Sequence, residues 1–204
     1  MVAIVDYQMG NLHSVQKACA KVGLKSRLVA TAADIRRAQA VILPGVGAFG
    51  HAMEQLTRKR LLTAVKETAH SGKPFLGICL GMQLLFDYSE EFGRHAGLGI
   101  LSGKVVPFPK GLKVPHMGWN RIALKHPSPF LRKVPDGSYM YFVHSFYCEP
   151  KDTSVLLATT EYGLPVAAAV GRDNLYGTQF HPEKSQALGL AIYRNFARLL
   201  AHQR

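Results

Sequence analysis

Gly77-Ile78-Cys79-Leu80-Gly81-Met82-Gln83 follows the apolar Pro74-Phe75-Leu76 and precedes the apolar Leu84-Leu85-Phe86. The order reads as strand, sharp turn, helix. Glycines stand two residues before and two residues after Cys79, and a turn that tight leaves no room for neighbouring side chains, so the spacing is that of a nucleophile elbow. A thiol there sits exposed at a strand end. It also faces the unpaired N–H groups of the helix that follows, whose field favours the thiolate, the attacking species. Taken alone, the stretch equally describes a small buried cysteine whose glycines only permit close packing of strand on helix.

A thiol nucleophile needs a base. Far downstream, Gly177-Thr178-Gln179-Phe180-His181-Pro182-Glu183 places a histidine and a carboxylate two residues apart. In an extended segment such residues face the same side, with Pro182 restricting the backbone between them. Cys79, His181 and Glu183 then form a triad of nucleophile, base and orienting carboxylate. His144 lies in the aromatic, strand-like run Tyr139 to Tyr147 without a nearby carboxylate, and reads as a hydrogen-bonded structural histidine. Lys184 would stand near the mouth of the site, although a lone lysine is ordinarily solvated.

The stretches upstream of the elbow predict the fold. Val2 to Val5 and Ala40-Val41-Ile42-Leu43 are apolar runs of the kind buried on both faces, and Arg27 to Ala30 is a weaker strand. Between them, Asp6 to Gly10 reads as a loop, Asn11 as the cap of a helix, and Ala33 to Gln39 as a short helix. This βαβαβ order predicts an α/β fold, an open, mostly parallel but mixed sheet flanked by helices, whose ligand sites lie beyond the carboxyl ends of the strands. Nothing resembles a linker, so residues 1–204 are expected to form a single domain.

After the third strand comes Pro44-Gly45-Val46-Gly47-Ala48-Phe49-Gly50. Gly45, Gly47 and Gly50 formally satisfy a dinucleotide fingerprint, but the loop does not open the first βαβ unit. The carboxylate nearest the required offset of ~20 residues is Glu67, inside a helix-like stretch. The other use of such a loop is a nest of N–H groups for a negative oxygen. Phe49 to His70 reads as one or two helices. From Glu90 to Lys113 five glycines and two prolines predict surface loops and antiparallel strands. Val114 to Asn120 places the single tryptophan, Trp119, in a Gly- and Pro-flanked loop, either buried or as an exposed interface anchor. Val155 to Thr159, Pro165 to Val170 and Asn174 to Phe180 read as strands. A helix from Ser185 carries Leu188, Ile192, Phe196 and Leu199 on one face.

Composition narrows the classes. Hydrophobic residues at 48% and charged residues at 19% describe an ordinary globular chain. No apolar run approaches the ~20 residues of a membrane span, and the N-terminus lacks a signal-peptide pattern, so a cytoplasmic protein without membrane contact is expected. Cys19, Cys79 and Cys148 fit neither a disulfide framework nor a zinc site, and Cys19 falls on the apolar face of a helix. The net charge of +12 comes from scattered residues without interleaved aromatics, which argues against a nucleic-acid surface. It can still assist docking to an acidic partner.

Gly-Ile-Cys-Leu-Gly-Met-Gln at 77–83, Pro-Gly-Val-Gly at 44–47 and Gln-Phe-His-Pro-Glu-Lys-Ser at 179–185 together resemble the class I (triad) glutamine amidotransferases, in order and spacing, over essentially the whole chain. The resemblance implies a glutaminase that needs no metal or cofactor and acts on L-glutamine through a Cys79 thioester. It implies oxyanion donors at Leu80 and in the Gly45-Val46-Gly47 loop, with substrate contacts at Gly45, Gln83, Glu91, Ser145 and Phe146. Within that family, Asp6 to Asn11, the glycine loop and especially Pro115-His116-Met117-Gly118-Trp119-Asn120 look like a glutaminase subunit that feeds ammonia to a (β/α)₈ cyclase. Asn11, Met117, Trp119, Asn120, Tyr141 and Lys184 would lie at that interface. A glutaminase for another synthase, or a non-catalytic nucleotide binder using Gly45, Gly47 and Gly50, are the competing expectations. β-Branched Val46 makes a flip of the Gly45–Val46 peptide costly, so the resting loop would hold a carbonyl where the oxyanion needs an N–H.

Overall fold

Side-chain alternation along three apolar strands divides the core of the molecule into two layers. The computed structural model describes residues 1–201. In β1 (Val2–Val5), Ala3 and Val5 face one layer while Val2 and Ile4 face the other, and all four are fully buried. The same alternation holds after α1 (Leu12–Lys21), β2 (Ser26–Val29) and α2 (Ala32–Arg37). In β3 (Ala40–Gly45), Val41 and Leu43 oppose Ala40 and Ile42; α3 (Phe49–Arg58) and α4 (Leu62–His70) follow. β4 (Phe75–Cys79) repeats it before the single turn of α5 (Leu80–Gln83). Strands covered on both faces need no polar positions, which is why these runs are continuously apolar.

The next strands are β5 (Phe86–Ser89), β6 (His95–Ala96), β7 (Leu101–Pro107), β8 (His116–Leu124), β9 (Tyr139–His144), β10 (Phe146–Pro150), β11 (Leu156–Glu161), β12 (Pro165–Arg172) and β13 (Leu175–Thr178). The chain closes with α6 (Gln186–Ala201). Nine strands form one mixed sheet in the order β2-β1-β3-β4-β13-β12-β11-β8-β9. It is parallel from β2 to β13 and antiparallel from β13 to β9. A second sheet, β10-β7-β5-β6, lies on the α3 side and adds Phe86, Leu101, Val105 and Cys148 to that layer, with Leu98 from the β6–β7 connection. On the opposite face, Val15, Ala18 and Cys19 of α1 pack with Ile192, Tyr193 and Phe196 of α6. No helix among the described residues is long and apolar enough to cross a membrane.

Three local expectations change. Trp119 lies not in a loop but inside β8, opposite Tyr141 of β9. Pro115 precedes the strand, so it removes no N–H from the ladder, and Gly118, at φ +127, accommodates the local irregularity. The region after Phe86 is not wholly antiparallel, because β5 and β7 pair in parallel through the excursion carrying β6. The aromatic segment from Tyr139 divides at Ser145, with β9 in the large sheet and β10 in the small one.

Candidate active site

β4 ends at Cys79, whose backbone, at φ +54 and ψ −110, is one that side-chain-bearing residues rarely adopt. The flanking glycines make this turn possible. A Cβ at Gly77 would lie 2.5 Å from the carbonyl oxygen of Gly81, and one at Gly81 would lie 1.8 Å from that of Leu43. Contrary to expectation, Cys79 does not project onto the open surface. It is 5% exposed and lines a cavity, because the second sheet and the β9–β10 turn rise around the strand end. Its thiol donates weakly to Val143 O at 3.8 Å and accepts from Gln179 Nε2 at 3.7 Å.

In the β3–β4 register Gly45 stands directly opposite Cys79, so the glycine loop emerges beside the thiol. Gly45 has no space for a side chain, since a Cβ would approach the Tyr7 hydroxyl to 2.5 Å. That hydroxyl, fully buried, donates to Pro44 O at 2.8 Å. Gly47 takes φ +104, open to glycine, while Val46 is 41% exposed at the rim.

His181 follows β13 and is clamped by β9. Its N–H donates to Tyr141 O at 2.9 Å, and its carbonyl accepts from Ser185 Oγ, which itself accepts from Tyr141 N–H. His181 Nδ1 meets Glu183 Oε1 at 2.8 Å, with side chains 2% and 1% exposed. The expected cause of this pairing is corrected: only His181 is extended, and Pro182–Lys184 coil into a 3-10 turn that carries Glu183 back toward the ring. Burial alone would lower the imidazole pKa. Hydrogen bonding and charge from Cys79 and Glu183 outweigh it and raise His181 from 6.5 to about 10. Nε2 has no partner meeting full hydrogen-bond geometry, and Cys79 is the group it interacts with on that side. Such contacts commonly tighten when substrate binds.

The cavity above the thiol measures about 460 Å³ and is lined by Val46, Gly47, Cys79, Leu80, Gln83, Glu91, Ser145 and Phe146, together with Pro115, Val143 and His144. Eight of these are residues singled out from the sequence; Gly45 stands beneath the rim in register with Cys79. Glu91 accepts the N–H of Phe49 at the start of α3, which fixes its carboxylate at the wall. Gln83 donates to Phe146 O at 3.0 Å and to Gln179 Oε1 at 3.1 Å. Pro115, Val143 and His144 were not anticipated as wall residues. Adjacency in the chain to Ser145 and Phe146 is the only sequence signal for the last two. Among the described residues, no three His, Cys, Asp or Glu side chains cluster so as to hold a metal ion.

Several of the expected interface residues adjoin one another. The Trp119 and Tyr141 rings meet edge-on at 6.0 Å, and Lys184 Nζ lies 5.6 Å from the Tyr141 ring centre. Trp119 is 47% and Met117 61% exposed. Asn11 caps α1, accepting from Ser14 N–H, and is exposed. Asn120 departs from this surface: its amide turns inward, toward His116 and Glu161 O.

A thiol on a strained backbone, a buried imidazole–carboxylate pair and a backbone loop in register with that thiol suit acyl transfer through a covalent thioester. A family profile described as "Glutamine amidotransferase class-I" matches residues 3–199. Similar proteins include "Imidazole glycerol phosphate synthase subunit HisH" of Desulfitobacterium hafniense (strain DSM 10664 / DCB-2), 49% identical over 97% of this chain and 94% of that protein. The protein of the same name from Syntrophotalea carbinolica (strain DSM 2380 / NBRC 103641 / GraBd1) is 51% identical over 96% and 98%. Among solved structures, a glutamine amidotransferase from Thermotoga maritima superposes with a TM-score of 0.71 at 15% identity, covering 98% of this chain and 97% of that one.

Proposed function

This chain belongs to the class-I glutamine amidotransferase family, and from that premise we propose that it is the glutaminase subunit of an imidazole glycerol phosphate synthase. The observation that carries this is the buried His181–Glu183 pair beside Cys79, beneath a cavity bounded by the glycine loop and the Ser145–Phe146 turn. Cys79 Sγ attacks the side-chain amide carbon of L-glutamine, and the thiol proton passes to His181. The tetrahedral oxyanion is held by the N–H of Leu80 and an N–H of the loop at Val46 or Gly47. In acyl-transfer enzymes, loss of one such donor typically costs about 3–4 kcal/mol of barrier. His181 returns its proton to the departing nitrogen, releasing ammonia. It then activates the water that cleaves the γ-glutamyl thioester to glutamate.

The partner is a (β/α)₈ cyclase. It takes the ammonia to a phosphorylated ribulose-type substrate, and the products are imidazole glycerol phosphate and the aminoimidazole carboxamide ribotide of histidine biosynthesis. Met117, Trp119, Tyr141 and Lys184 surround the exit toward it; Asn11 lies at its edge. The place of action is the cytoplasm, and no metal or cofactor enters the steps. The nucleotide-binding alternative loses its main feature, because the glycine loop lines the thiol cavity.

The test is glutamate release by this chain mixed with the cyclase, set against Cys79→Ala. The variant should assemble and still support product from ammonium salts but not from glutamine. With amide-labelled glutamine in excess unlabelled ammonium, the wild-type complex should give labelled product. Dilution of the label to the bulk level would overturn channelling, and glutamine-dependent product from Cys79→Ala would overturn the triad.

A further inference from the structure

Two histidines that the triad does not use stand opposite each other on neighbouring strands, His116 on β8 and His144 on β9. Both are buried, 3% and 6% exposed. His116 Nδ1 lies 2.9 Å from His144 Nε2. At one end of this pair, His144 Nδ1 lies 2.8 Å from the carbonyl oxygen of Phe146; at the other, Asn120 Nδ2 lies 3.1 Å from His116 Nε2. The rings of Phe142 and Tyr162 stack on the two sides of His116, at 4.9 and 4.0 Å, and hold its plane.

The two ends decide where the protons are. A carbonyl oxygen only accepts, so His144 carries its proton on Nδ1. The Asn120 amide is oriented independently, because its nitrogen donates to Glu161 O at 2.9 Å and its oxygen accepts from Arg121 N–H at 2.8 Å. It therefore donates to His116 Nε2, and the His116 proton sits on Nδ1, directed at His144 Nε2. Both ends demand the same direction. A second proton on either ring would set two N–H groups against each other. Burial acts in the same sense, lowering His116 to about 4 and His144 to about 3.

The chain of donors ends at the wall of the thiol cavity. His144, Ser145 and Phe146 all line it, and the Phe146 carbonyl also accepts from Gln83 Nε2. Ser145 belongs to neither strand, since here the backbone leaves the large sheet for the small one. The turn therefore lacks ladder bonds of its own at that residue, and side-chain donors hold it. Building on the glutaminase reading, we propose that Asn120, His116 and His144 form a one-directional hydrogen-bond relay that fixes the Ser145–Phe146 turn and Gln83 for glutamine. Both histidines are thus positioning residues of the substrate pocket.

The protons can be located directly by long-range ¹H–¹⁵N NMR of the full chain labelled in its histidine rings, at neutral pH. His116 and His144 should both be neutral with the proton on Nδ1. A proton on Nε2 of either ring overturns the relay, and this result does not depend on turnover, so it is separable from failure of the glutaminase reading. In the complex, His144→Phe should raise the KM for glutamine about fivefold to tenfold, as expected for one hydrogen bond of ordinary net strength, with kcat changed less than about twofold. His144→Asn, whose amide nitrogen takes the place of Nδ1, should recover most of the loss. His116→Phe should raise KM less, about threefold, because it removes the donor that orients His144 rather than the one that reaches Phe146. An unchanged KM in His144→Phe, no recovery in His144→Asn, or a loss confined to kcat overturns the proposal. Should His144→Phe not fold, the proton positions in the wild-type chain still decide it.

Discussion

Gly81→Ala isolates what the nucleophile elbow requires. The added methyl would sit 1.8 Å from the carbonyl oxygen of Leu43, a backbone atom of β3 that cannot turn away. Relaxed carbon–oxygen contacts lie at about 3.3 Å or beyond, so the elbow and β3 would have to part by about 1.5 Å. Leu43 pairs with Gly77 and Gly45 with Cys79, so the separation opens between the nucleophile and the loop proposed to hold the oxyanion. A misplacement of that size costs roughly 100-fold in rate. Overpacking adds about 1–3 kcal/mol of lost stability, which for a chain of this length lowers the melting temperature by about 3–10 °C. Steady-state glutaminase kinetics of the complex and thermal unfolding of the chain read the two effects. Gly23→Ala is the control, a left-handed glycine at φ +73 with nothing within 4 Å, which should lose about 1 kcal/mol of stability and no activity. Retention by Gly81→Ala of kcat within about threefold of wild type would refute the steric account of the elbow.

Further outcomes follow from the same geometry. A glutamine-analogue electrophile should label Cys79 alone, because burial pushes the Cys19 thiol up to about 11 and Cys148 well above its usual value; peptide mass mapping checks this, and labelling of Cys19 at a comparable rate contradicts it. The isolated chain should release glutamate far more slowly than the complex, since Val46 resists the flip of its loop, and a full rate from the chain on its own would remove that idea. Trp119→Ala should weaken assembly by about 2 kcal/mol by calorimetric titration, while leaving the melting temperature of the free chain nearly unchanged because the side chain is half exposed.

What the chain's own order determined lies in short stretches. Apolar runs at Val2–Val5, Ala40–Leu43 and Phe75–Leu76 declare strands covered on both faces, and Gly77 and Gly81 declare the turn at Cys79, because unbroken apolarity and glycine spacing are both legible within a few residues. His181 and Glu183 were likewise legible as partners, although a 3-10 turn rather than extended backbone brings them together. Tertiary structure alone decided which distant stretches meet. Trp119 became a strand residue because β8 found β9, and Glu91 reached the N-terminus of α3 because β5, β6 and β7 fold back over it. His144, which by itself suggested only a structural role, acquired His116 as a partner through the β8–β9 register. Register of that kind depends on side chains packing across tens of residues, and a one-residue slip of β8 would turn His116 to the opposite face and part the two imidazoles. Local spacing therefore singled out Cys79, His181 and Glu183, the groups proposed as nucleophile, base and orienting carboxylate. The pocket wall, the burial of Cys79 and the proton order of the histidine pair arise only where the two sheets come together.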